Sequence, residues 1–174
     1  MKLEQRCESI ELILSDVDGV MTDGAVVFDN QGIEAKRFHI RDGLGIRLWQ
    51  KAGYRFGLIT GRTSQVVKLR AAELGVDPVR QGVADKLSAA RDIFADLKLD
   101  ASQVCYIGDD LLDIALMQSV GLGVAVADAV EEVRQVAHYT TTAMGGRGAV
   151  RETIELILKH QQRWDNLIRR FLAT

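Results

Sequence analysis

The chain has 174 residues, 47% of them hydrophobic and 26% charged, enough for one well-buried core and short for two. Its formal charge is only -2, with lysines and arginines scattered along the sequence, so nothing marks a nucleic-acid-binding surface. Cys7 and Cys105 lie far apart without Cys/His spacing around them, which argues against structural zinc and a disulfide framework.

Met1 to Cys7 is polar, and no later apolar run approaches membrane-spanning length. A cytoplasmic protein is expected, with neither membrane nor nucleic acid among its partners. Ile10 to Leu14 reads as a buried strand, leading into Ser15-Asp16-Val17-Asp18-Gly19. Gly24 to Phe28 and Glu34 to His39, joined by Asp29-Asn30-Gln31-Gly32, predict a β-hairpin. Its lysine and arginine, Lys36 and Arg37, are read as charges that keep an exposed edge soluble. Asp42 is expected to cap a helix over Gly43 to Ala52. Tyr54 to Ile59 is a strand that ends at Thr60-Gly61-Arg62, and Thr63 or Ser64 caps a helix to Leu74. A short strand over Pro78 to Gln81 precedes a helix over Asp85 to Leu97. Val104 to Ile107 is a strand that ends at Gly108-Asp109-Asp110, followed by a helix over Leu111 to Val120. Leu122 to Val126, Val130 to Ala137 and Tyr139 to Thr141 read as strand, helix and edge strand. One long helix is expected from Gly148 into Phe171. Its closing portion, Gln161 to Thr174, carries Trp164, Leu167, Ile168 and Phe171 at amphipathic spacing.

Alternating strands and helices imply an α/β fold, a three-layer Rossmann-like parallel sheet covered on both faces. One domain over residues 1–174 is expected, with a small hairpin insert at about 24–39 and no separate cap domain. Ligands of such sheets bind beyond the carboxyl ends of the strands. Asp16 and Asp18, Thr60, and Asp109 and Asp110 all fall at that edge, and Lys86 joins them from the start of a helix. Each has a plain alternative: a capped turn for the Asp-Gly loop and Thr60, a solvated lysine, a helix cap for Asp110. Asp113 can favour the positive end of the helix it enters. Together, however, four carboxylates at one edge need a counter-charge, which Lys86 and a hard cation such as Mg2+ supply. The set suits phosphoryl transfer. Asp16 is the expected nucleophile and Asp18 the acid and base, while Thr60 and Lys86 hold phosphate oxygens. Asp16, the Asp18 carbonyl and Asp109 are the expected metal ligands, with Asp110 and Asp113 supporting them from behind.

The runs D-x-D-G-V-x-T-D-G at Asp16, I-T-G-R at Ile59 to Arg62, Lys86, and G-D-D-x-x-D at Gly108 to Asp113 resemble the four motifs of haloacid dehalogenase-type phosphatases. That resemblance implies the same fold, Mg2+ dependence and residue roles. Phe38 to Arg47 and Gly145 to Glu152 resemble, more narrowly, the 3-deoxy-D-manno-octulosonate 8-phosphate phosphatases. This likeness implies hydrolysis of a phosphorylated sugar acid, a role in lipopolysaccharide biosynthesis, and a homotetramer whose hairpin covers a neighbour's site. Arg62 and Arg70 are candidates for the substrate carboxylate, because a guanidinium binds carboxylate bidentately. A nine-carbon nonulosonate 9-phosphate is the alternative substrate. A phosphorylation-switched receiver domain is the alternative of a different class. Its accepting Asp lies on a middle strand, away from an acidic pair on the first, which the D-x-D placement here disfavours.

Overall fold

The computed structural model describes residues 1–172. A short helix not foreseen in the sequence, α1 (Leu3–Glu8), precedes β1 (Leu12–Ser15), all four of whose residues are buried. β2 (Val27–Phe28) and β3 (Glu34–Ala35) form the hairpin, and α2 (Ile40–Lys51), β4 (Arg55–Ile59), α3 (Gln65–Leu74) and β5 (Val79–Arg80) follow. The chain continues through α4 (Lys86–Leu97), β6 (Val104–Gly108), α5 (Ile114–Ser119), β7 (Leu122–Ala125), α6 (Glu131–Val136) and β8 (Tyr139–Thr140). It closes with α7 (Ala149–His160) and α8 (Trp164–Leu172).

Six strands make one sheet in the order β5-β4-β1-β6-β7-β8, with every neighbouring pair parallel. Helices α1 and α2 pack on α7, and α4 and α6 pack on α5, which gives the central strands the cover on both faces that their unbroken burial demands. Leu12 of β1 stands opposite Arg55 of β4 and Val104 of β6, so the three strands finish level at Ser15, Leu58 and Ile107. That register sets Asp16, Thr60 and Asp109 at one rim. The Asp16 N–H still donates to the Ile107 carbonyl at 3.0 Å, and that of Thr60 to the Arg80 carbonyl at 3.0 Å.

The hairpin strands are two residues each, shorter than expected, and among the described residues they form the whole insertion between β1 and α2 that has regular pairing. The Asp29 carboxylate accepts the N–H groups of Gln31 and Ile33, each at 2.8 Å, and Gly32 takes a left-handed φ of 78°, as a tight turn requires. Asp42 does not cap α2. His39 is the cap residue, and Asp42 sits buried inside the helix, where its carboxylate accepts the N–H of Arg151 in the first turn of α7 at 2.8 Å. Ser64, not Thr63, caps α3. The expected long terminal helix is two helices. Gln161 donates to the carbonyls of Cys7 and Ile10, at 2.9 and 2.8 Å, and Gln162 then turns with φ of 57°. This bend lets Trp164 lie under the cations of Arg151 and Lys159. Ala173 and Thr174, the end of the expected amphipathic segment, lie outside the described residues.

Candidate active site

Asp16 stands one residue past β1 and is 8% exposed. The loop after it winds tightly, its Val17 carbonyl accepting the N–H groups of Val20, Met21 and Thr22 at 3.3, 2.9 and 3.1 Å. Gly19 adopts φ of 89°, and a Cβ there would fall 2.0 Å from an Asp109 carboxylate oxygen. The glycine of the D-x-D-G run is therefore what allows the acidic ends of β1 and β6 to approach.

Lys86, the first residue of α4, lies buried between acids, its Nζ 2.7 Å from Asp16 Oδ2 and 2.7 Å from Asp113 Oδ1. Asp113 has no solvent exposure. It accepts four hydrogen bonds: from Lys86, from the Tyr106 hydroxyl, and from the N–H groups of Asp109 and Asp110. Asp110 lies at the rim, accepting the N–H of Leu111 at 2.7 Å. One oxygen each of Asp16, Asp109 and Asp113 falls within a 4.8 Å group. Burial raises the Asp109 carboxyl to about 8, with further upward pushes from Asp16 and Asp113. Burial likewise raises Asp16 to about 6, opposed by the Lys86 charge.

One ammonium paired with Asp16 and Asp113, beside the half-buried Asp109, leaves the cluster short of positive charge. Asp109 Oδ1 is buried and has no hydrogen-bond partner. Donors made wholly of carboxylate oxygen suit a hard cation such as Mg2+, so the residues present fit the metal. Asp113 is poorly placed to be a ligand, because its lone pairs already serve four donors.

Asp16, Asp18, Thr60, Arg62, Lys86, Asp109, Asp110 and Asp113 all line one cavity of about 210 Å³. The structure thus brings together every expected site residue except Arg70. Arg70 belongs to a separate hollow beside Phe38 and Glu73, pairing with Glu73 at 2.8 Å. Arg62 precedes α3, which begins at Gln65 and carries Arg70 away from it. Asp18 pairs through its Oδ1 with Lys36 of the hairpin. Arg62 reaches Glu34 at 3.1 Å and lies 3.8 Å from Asp18. Glu34 also accepts the Ser64 hydroxyl hydrogen bond. The reading of Lys36 as an edge solubiliser is overturned: its side chain has no exposure, while that of Arg37 is 79% exposed and paired with Asp23. Glu34 and Lys36 escape sequence reasoning because a two-residue strand carries too little alternation to tell its inner face.

The haloacid dehalogenase-like hydrolase family model matches residues 79–152. The 3-deoxy-D-manno-octulosonate 8-phosphate phosphatase KdsC of Yersinia pestis is 47% identical over 159 residues, covering 91% of this chain and 85% of its own. Its counterpart from Escherichia coli K12 is 43% identical over 160 residues, covering 92% and 85%. A crystal structure of the Moraxella catarrhalis phosphatase with magnesium, phosphate and KDO superposes with a TM-score of 0.95 at 41% identity, covering 97% of each chain. With the rim of acids and the hairpin in the places described, the chain belongs to the 3-deoxy-D-manno-octulosonate 8-phosphate phosphatases, within the haloacid dehalogenase-like hydrolases.

Proposed function

We propose that this protein is a Mg2+-dependent phosphatase that hydrolyses 3-deoxy-D-manno-octulosonate 8-phosphate to the free sugar acid and phosphate, in lipopolysaccharide biosynthesis. The observation that carries this reading is the single cavity in which a strand-tip Asp16 faces Lys86 and the unpartnered Asp109 oxygen. Asp16 attacks phosphorus and forms an aspartyl-phosphate as the bond to the sugar oxygen breaks. Asp18 hands its proton to that oxygen, then takes one from the water that attacks phosphorus and frees Asp16 and phosphate. Lys86 and the Thr60 hydroxyl hold the remaining phosphate oxygens. Mg2+, held by Asp16, Asp109 and the Asp18 carbonyl, supplies positive charge against the charge that builds on the phosphoryl group.

The buried amide frame around Asp113 keeps Lys86 and Asp109 in place without contributing to the chemistry directly. Arg62, in the cavity wall, is the guanidinium assigned to the substrate's anionic end. A cytoplasmic homotetramer completes the reading, with the hairpin of one copy against a neighbour's site. It is supported by the exposed Val27, Phe28 and Ile33, an apolar surface that a short hairpin does not cover alone. Among the described residues no helix is long and apolar enough to cross a membrane.

The test is turnover of a panel of sugar phosphates with Mg2+, with light scattering for mass. The eight-carbon sugar acid phosphate is expected to give the highest kcat/KM. A higher value for the nonulosonate 9-phosphate would reassign the substrate, and full activity from a monomer would remove the tetramer.

A further inference from the structure

Lys36 sits on a hairpin outside the main sheet, where a lysine is ordinarily solvated. Its side chain instead has no exposure, and its Nζ pairs with Asp18 Oδ1 and lies 3.3 Å from Glu34. Glu34 is itself fixed from the main body of the fold, by Arg62 and by the Ser64 hydroxyl. The ammonium is thus held between a braced carboxylate and the carboxylate of Asp18. The other Asp18 oxygen, Oδ2, lies 3.8 Å from Arg62, beyond hydrogen-bond reach, and Asp18 is one of the residues lining the cavity that holds Asp16.

We propose that Lys36 is a positioning residue for Asp18: from the hairpin it fixes one carboxylate oxygen and so aims the other at the oxygen that leaves phosphorus. The inference rests on the phosphatase reading above. In the first step the phosphorus–oxygen bond of the sugar ester breaks, and the Asp18 proton moves from Oδ2 to the departing oxygen. The Lys36 ammonium stabilises the carboxylate that remains. In the second step that carboxylate takes a proton from the attacking water, which restores Asp18. Among the described residues Lys36 is the one side-chain hydrogen-bond donor to the Asp18 carboxylate, with the Arg62 guanidinium in a longer ion pair at 3.8 Å. The same contact ties the hairpin to the chemistry, so the insert acts on the reaction as well as covering it.

Leaving-group dependence separates this role from a structural one. An alkyl sugar oxygen needs the proton as it departs, whereas p-nitrophenolate leaves without one. In the full-length protein with Mg2+, Lys36→Met is expected to lower kcat on the sugar acid phosphate by about 30- to 100-fold, the scale of a misplaced catalytic group. Its single-turnover rate of p-nitrophenolate release, a step that draws no proton from Asp18, is expected to change by less than about threefold, as is KM for the sugar phosphate. Lys36→Arg, which keeps a cationic donor, is expected to recover most of the lost sugar phosphate turnover. An equal loss in the single-turnover release of p-nitrophenolate, no loss on the sugar phosphate, a loss carried by KM, or no recovery in Lys36→Arg would each overturn the proposal. Wild-type protein that turns over neither phosphate would instead sink the phosphatase reading beneath it.

Discussion

Replacing Asp113 by asparagine keeps the shape of the side chain and reverses part of its hydrogen-bonding sense. The carboxylate accepts four donors: Lys86 Nζ and the Tyr106 hydroxyl on one oxygen, and two main-chain N–H groups on the other. An amide has a single acceptor oxygen, so in either orientation two buried donors face an NH2 group. Each buried donor left without an acceptor costs about 1–3 kcal/mol. Lys86 also keeps only Asp16 as a counter-charge. Relief of the repulsion that Asp113 exerts on Asp16 and Asp109 offsets part of this. The net loss is expected to be about 3–5 kcal/mol, the range for breaking one partner of a buried ion pair. Urea unfolding reads it as a lower midpoint at unchanged slope, and turnover is expected to fall with it as Lys86 and the Asp109 backbone lose their anchor. A loss below about 1 kcal/mol would refute the reasoning that Asp113 is the acceptor for all four donors.

The acid cluster makes stability depend on pH and metal together. Burial lifts Asp109 from 3.8 to about 8 and Asp16 from 3.8 to about 6, so the metal-free fold keeps protons that the unfolded chain has released. Its thermal stability is therefore expected to fall as pH rises through that window, and Mg2+ is expected to raise Tm more at pH about 8.5 than at about 5.5, because ligands must lose protons to bind. A pH-independent Mg2+ effect in thermal melts would contradict this. Asp109→Asn removes a carboxyl that ionises in the metal-free fold only above about pH 8, and is expected to raise the metal-free Tm there while abolishing the Mg2+ gain, which for the wild type is about 2.7 kcal/mol at a hundredfold excess over Kd. Retained Mg2+ stabilisation would show that Asp109 is not a ligand. Gly145→Ala places a Cβ 1.8 Å from the Gly19 carbonyl oxygen, backbone against backbone. Chemical unfolding is expected to show a loss of about 1–3 kcal/mol, with slower turnover because Gly19 abuts Asp109; an unchanged midpoint would mean that the two loops separate freely.

Much of the site was legible because parallel sheets impose one rule: the carboxyl ends of the strands share an edge. Asp16, Thr60 and Asp109 follow apolar runs, and the level register of β1, β4 and β6 sets them together. Lys86 was legible from its place at the start of a helix. What escaped was decided by tertiary contact. Asp42 has the composition of a cap and the position of a strut, receiving the N–H of Arg151 from α7. Gln161 breaks the terminal helix through bonds to the carbonyls of Cys7 and Ile10, residues about 150 positions away. Arg70 was paired with Arg62 by residue type, but its side chain is drawn off to Phe38 and Glu73. Lys36 has the sequence signature of a solvated edge, and the fold back onto Asp18 is what buries it in an ion pair.

The most direct test is a rapid acid quench of the protein with its sugar phosphate substrate and Mg2+, followed by tandem mass spectrometry to locate any bound phosphoryl group. Expected is a phosphoryl group on Asp16 that forms and decays at rates able to support turnover, and that is absent without Mg2+. Turnover with the label on another residue, or undiminished turnover in Asp16→Asn, would contradict the assignment of Asp16 as the group that accepts phosphorus.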